Sequence, residues 1–191
     1  MSSAAIVLSI VYVLCLTCSV APRALGLVSA DEKPSQRLVV SLIFAITQGL
    51  MALLGILLGR AMGHLFGELG QYLTFAMMLV VCVKLFLDTM QILKGKALYT
   101  FSNNWGFVLL AILASTNTFL LTLMGAYFLP FADAVGTVVA ITMAGFLWAF
   151  VFVNRLFHPK MMKTMSFIEF SASVFLLIIA LLFLFTNIFA Q

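Results

Sequence analysis

The sequence predicts an all-α, polytopic membrane protein: six transmembrane helices arranged as two inverted three-helix repeats. Three observations carry this expectation. Of the 191 residues, 64% are hydrophobic and only 8% charged, where a soluble domain carries about 25% charged residues. Such a chain cannot cover a water-facing surface, so the bilayer must be its solvent. The apolar residues fall into six runs near the roughly 20 residues that a spanning helix needs. The breaks between those runs alternate in basic charge. Net charge is +4 with a mean hydropathy of +1.23, and in this setting the excess reads as basic cytoplasmic loops rather than a nucleic-acid surface.

The first run, about 4–22, has no basic residue before it and no small-residue cleavage site after it. It therefore reads as a retained span rather than a removable signal peptide. The others are about 38–59, 70–93, 105–128, 135–154 and 166–189, separated by "PRALGLVSADEKPSQR", "RAMGHLFGE", "KGKALYTFSNN", "LPFAD" and "NRLFHPKMMKT". Nothing between them is long enough for an extramembrane domain. Residues 1–191 thus form one transmembrane domain, with repeat 1 at about 1–96 and repeat 2 at about 102–191.

Arg23, Lys33, Arg37, Lys94, Lys96, Arg155, Lys160 and Lys163 all lie in or beside the first, third and fifth breaks. The second holds Arg60 and the fourth no basic residue. The positive-inside rule sends the basic side to the cytoplasm and both termini outside, to the periplasm of a Gram-negative cell. Three spans per repeat force the second repeat to run upside down relative to the first, a common transporter plan with its site at the midplane. "TCSVA" at 17–21 and "LASTN" at 113–117 place Ser19 and Ser115 in matching positions.

Ionisable residues at bilayer depth cost about 2.5–3.5 kcal/mol each on insertion scales, so each needs a reason. Lys84 and Asp88 are four apart in the third span, on one face, where they can neutralise each other. Asp88 reads either as a cation or proton ligand or as half of a structural ion pair. Asn117 offers an acceptor and a donor, and its neighbours Ser115, Thr116, Thr118 and Thr122 can back-bond to their own helix. This cluster, with Gln48 beside Thr47 in the second span, reads either as an ion or substrate pathway or as hydrogen-bonding glue between helices. Asp88, Lys84, Asn117, Gln48, Ser19 and Ser115 are the pathway candidates, and Asp88 and Asn117 the candidate metal ligands.

Gly55, Gly59, Gly63 and Gly67 recur every fourth residue, a stripe on which another helix can pack closely. His64 and Glu68 are read as a solvated face. Cys15 and Cys18 have CxxC spacing; at lipid level they read as small hydrophobes, with a thiol–disulfide carrier or a soft Cu(I) site shared with methionines as the alternative, and with Cys82 they make three cysteines and no disulfide framework. Glu169 reads as reaching the interface near the start of the sixth span, and Asp133 as lying in an outer loop. There is no phosphate-cradling loop, HExxH or nucleophile elbow, so no enzyme is expected.

The chain resembles the MntP-type manganese efflux pumps of the wider LysE group of small six-helix exporters. The resemblance runs through "KPSQ" and "RLVVSLIFAITQGLMALLGILLGRAMG", through "YLTFAMMLVVCVKLFLDTMQILKG", and through "WGFVLLAILASTNTFLLTLMG" and the "IEF" of the sixth span. It implies a bacterial inner-membrane exporter with acids along a metal pathway and no cofactor other than transported Mn²⁺ or another cation. The family's intramembrane acids are replaced here by Ala21, Asn117 and Gln48, and Asp88 is retained. Mn²⁺ prefers several hard oxygens including carboxylates. The expectation is therefore a transporter-fold protein with an altered or weakened ion site. The alternative is a non-transporting member acting as a subunit or scaffold of a larger membrane complex. The expected partners are the lipid bilayer and, under the second reading, other membrane subunits, with no nucleic acid.

Overall fold

The computed structural model describes residues 13–14, 17–26, 34–66, 69–94, 104–126, 131–153 and 159–187. Within them the chain is helical: α1 (Val20–Gly26), α2 (Pro34–Phe66), α3 (Leu69–Leu93), α4 (Asn104–Gly125), α5 (Phe131–Val153) and α6 (Pro159–Asn187). No strand occurs among the described residues. Five helices, α2 to α6, are long and apolar enough to cross a membrane, through Arg37–Ala61, Tyr72–Leu93, Trp105–Leu123, Ala134–Val153 and Lys163–Leu182. Most of the first expected span, with Cys15, lies outside the described residues, as do Gly67 and Glu68.

Local chemistry explains several helix ends. Pro34 and Pro159 open α2 and α6, where a missing N–H is harmless and the fixed φ suits the first turn. Helix interrupts at Cys18–Ser19 and resumes at Val20. Pro22 has no N–H to return to the Cys18 carbonyl, and that carbonyl accepts instead from the Ala21 N–H at 3.1 Å. Asp133 lies within α5 rather than in a loop.

The core is graded along the bundle. At one end Val40, Ile92, Leu110, Phe152 and Met165 meet in one buried cluster with Val20, Ala21 and Ala24. These belong to the start of α2, the end of α3, the start of α4, the end of α5 and the start of α6, so the long helices alternate in direction. The end that gathers Arg37, Lys94 and Lys163 is therefore opposite the end of α2 that carries Arg60. A middle cluster joins Cys18, Val81, Leu85, Leu121, Ile141 and Leu176. Ile56, Ala126 and Ala134 close the far end.

α2 packs chiefly on α4 and α5, and α3 chiefly on α6, with α1 wedged against α5 and touching α4 and α6. Outward faces are apolar: Leu57, Leu109, Leu147 and Phe185 are all more than half exposed. On a water-soluble monomer a continuous surface of this kind would be an aggregation liability, and in a bilayer it is the lipid contact.

Candidate functional site

The helix break at Cys18–Ser19 positions the first part of the site. Ser19 is fully buried and its Oγ donates to the Ala114 carbonyl of α4 at 2.9 Å. One turn later Arg23 donates through Nη1 to the Ser19 carbonyl at 2.8 Å and through Nη2 to Asp88 Oδ2 on α3, also at 2.8 Å. The guanidinium thus links the break in the first helix to the third. Both bonds are charge-assisted, the strong kind, and the two side chains are 11% and 18% exposed. The expected neutralisation of Asp88 by Lys84 is replaced by this pair. Spacing along one helix made Lys84 a neighbour, but Arg23 arrives from another element with a planar fork suited to a carboxylate.

Lys84 and Glu169 form the second part, between α3 and α6. Lys84 Nζ and both carboxylate oxygens of Glu169 are buried with no hydrogen-bond partner among the described residues. Glu169 is 1% exposed. It is enclosed by protein rather than reaching outward, six residues inside the Lys163–Leu182 stretch, or about 9 Å of helix rise. Arg23, Lys84, Asp88 and Glu169 lie close enough to act on one another electrostatically. Two cations and two anions make the group neutral when all four are ionised.

The third part lies between α2 and α4. Gln48 is fully buried, and its Oε1 accepts from Thr118 Oγ1 at 2.5 Å, while its Nε2 has no partner among the described residues. Asn117 is 1% exposed, and neither its Oδ1 nor its Nδ2 has one. The hydroxyls around it divide. Ser115 donates to Ala111 O at 2.7 Å, Thr116 to Ile112 O at 3.2 Å and Thr122 to Thr118 O at 2.7 Å, all back along their own helix. Thr47 likewise donates to Ile43 O. Thr118 alone of the cluster is seen bridging helices. Thr118→Val is therefore expected to lower stability by about 1–3 kcal/mol, because it strands the buried Gln48 carbonyl. Thr116→Val, which loses only a back-bond, should fall well below that in thermal unfolding of the detergent-solubilised protein.

Close packing sets these helices in place. A Cβ on Gly55 would strike Thr122 Oγ1 and the backbone at Phe119 and Leu123, and one on Gly59 would strike the Leu123 carbonyl. The two glycines face α4. Gly63 lies in α2, but its surroundings and those of His64 fall outside the described side chains. Two further glycines were not singled out from the sequence. Gly49 meets Thr142 of α5, and Gly145 of α5 meets Gln48 and Ala45 of α2. Their signal is only visible as a pair, "TQG" at 47–49 against "MAG" at 143–145.

The candidate residues therefore fall into two groups. Ser19 touches the α4 backbone beside Ser115, and Asp88 and Lys84 join Arg23 and Glu169. Gln48 belongs to the α2–α4 seam through Thr118, and Asn117, buried on α4, makes no hydrogen bond to either group among the described residues. Among the described residues no three His, Cys, Asp or Glu side chains come together as a metal site. Cys18 and Cys82 are both buried in the middle apolar cluster.

Five membrane-length helices with a lipid-like exterior and a polar, charged interior define an all-helical, membrane-embedded protein. Comparison with protein-family models, curated proteins and solved structures finds no match.

Proposed function

We propose that the protein is a small secondary transporter of the six-helix exporter plan with an altered ion site, held in the bacterial cytoplasmic membrane with both termini on the periplasmic side. The observation that carries this reading is the set of buried polar groups in the helix interior with no hydrogen-bond partner among the described residues: the Asn117 amide, Gln48 Nε2, Lys84 Nζ and the Glu169 carboxyl. Each costs about 1–3 kcal/mol or more while unpaired. A bundle selected for packing alone would gain by placing leucine there. Polar groups facing a membrane protein's interior mark ion and substrate paths.

The helix packing supports two repeats of opposite orientation. Exchanging α1 with α4, α2 with α5 and α3 with α6 turns the α2–α4 contact into the α1–α5 contact and the α3–α4 contact into the α1–α6 contact, and all four occur. The same 96-residue separation relates Ser19 to Ser115 and Gly49 to Gly145. Mn²⁺ is a poor fit as cargo, because Asp88 is balanced by Arg23 and the α2–α4 seam supplies neutral oxygens and amides. A cation of lower charge or a small polar solute suits that seam better.

The test is flux through the purified protein in proteoliposomes, assayed with manganese, potassium and sodium. Asn117→Leu is expected to stop flux while leaving stability unchanged or raised, since it removes an unpaired buried amide. No flux of any of these ions in the wild type, together with unaltered metal tolerance in a deletion strain, overturns the reading.

The Arg23–Asp88 pair, which ties up the retained acid, favours a second reading as a non-transporting subunit or scaffold of a larger membrane complex. Stable co-purification with other membrane proteins in mild detergent supports it. A monodisperse, partnerless particle that moves ions excludes it.

A further inference from the structure

We propose that Glu169 is a proton-binding site at bilayer depth, and that a proton and the Lys84 ammonium are alternative partners of its carboxylate. Glu169 is 1% exposed, and neither of its oxygens is hydrogen-bonded among the described residues. Lys84 Nζ, on the helix that packs along α6, is buried and equally without a hydrogen bond. The two groups act on each other electrostatically, yet no ion-pair contact joins them among the described residues.

The surroundings leave few other ways to balance the carboxylate. The charges acting on Glu169 are Lys84 and Asp88 from α3 and Arg23 from α1. Arg23 and Asp88 are committed to each other at 2.8 Å. The remaining titratable neighbours on those elements, Cys82 of α3 and Cys18 just before α1, are buried in an apolar cluster with Ala172 of α6. An ionised carboxylate held there without a donor is among the most expensive groups a dry interior can contain. Two events remove that expense. A proton from the aqueous phase forms an O–H bond on the carboxylate, cancelling its charge, and Lys84 keeps its own protons. Alternatively the carboxyl returns that proton to the aqueous phase and the ammonium closes on the carboxylate as a buried pair.

Because one group rides on α3 and the other on α6, closing the pair draws those two helices together and protonation releases them. That this exchange drives transport rests on the transporter reading above; the proton binding itself does not.

The experiment is difference infrared spectroscopy of the full chain in lipid nanodiscs, titrated with pH. The expected result is a carbonyl band of a protonated carboxylic acid that grows on acidification and disappears in Glu169→Gln. In Lys84→Met, where the competing cation is gone, the band is expected to persist to higher pH. Should Glu169→Gln fail to fold, Glu169→Asp keeps a carboxyl and is expected to shift the band rather than abolish it. A band untouched by these Glu169 variants, or a titration unmoved by Lys84→Met, overturns the proposal. A Glu169 band in a protein with no ion flux leaves the proton site standing and removes the transporter reading. Flux with no Glu169-dependent band does the reverse.

Discussion

Replacing Asp88 with alanine is expected to cost about 3 kcal/mol of stability, the lower end of what breaking a buried ion pair costs. The lower end applies because the pair is 11% and 18% exposed rather than sealed. The loss comes less from the missing bond than from Arg23, which would keep its charge in the interior with only the Ser19 carbonyl as acceptor. Removing both charges, as in Arg23→Met with Asp88→Ala, should therefore recover most of the loss. The check is a double-mutant cycle by thermal unfolding in detergent. The Arg23–Asp88 cycle should show strong coupling and a Lys84–Asp88 cycle weak coupling. The reverse order would mean that Asp88 takes its partner from its own helix.

Gly59→Val should be nearly as damaging, for a steric reason. The Cβ would meet the Leu123 carbonyl and Ala126, and a backbone carbonyl cannot swing aside as a flexible side chain can. Overpacking of a tight core costs about 1–3 kcal/mol, and a contact against backbone belongs at the top of that range. Gly55→Val should behave similarly, since Phe119 O and Leu123 N lie behind Thr122. Gly136→Ala is the contrast: nothing lies within 4 Å of its Cβ. Alanine there should be neutral or stabilising by up to about 1 kcal/mol through helix propensity. Equal unfolding midpoints for Gly59→Val and Gly136→Ala would show that α2 and α4 do not meet through the glycines.

Much of the architecture was legible because the bilayer makes composition a strong constraint. Five expected spans fall on membrane-length helices, with ends that differ by up to seven residues, since a spanning helix must satisfy its backbone internally and be apolar for its whole width. The small residues at Gly55 and Gly59 were readable as a packing stripe from their period of four. The partners were not readable. Nothing in "KLFLD" indicates that Asp88 would take Arg23 rather than Lys84, because the competitor lies 65 residues away in sequence. The burial of Glu169 is hidden in the sequence for a related reason. Proximity to a helix start says how far along the axis a residue sits, not whether a neighbouring helix covers it.

The cluster of hydroxyls around Asn117 shows the same division. Its polarity is plain in the sequence, and back-bonding by Ser115, Thr116 and Thr122 follows from helix geometry alone. That Thr118 turns instead to Gln48 depends on where α2 lies, and that Asn117 is buried with neither end of its amide bonded among the described residues depends on how the helices around α4 close over it.

The sequence by itself determined the solvent, the long helices and the alternating placement of basic charge, because each depends on the content of a single segment. The tertiary structure alone decided which charges are paired, which are left buried and unpaired, and which glycines carry a helix crossing. Those outcomes depend on distances between segments far apart in the chain, and both Coulomb energy and steric overlap change steeply over a few ångströms.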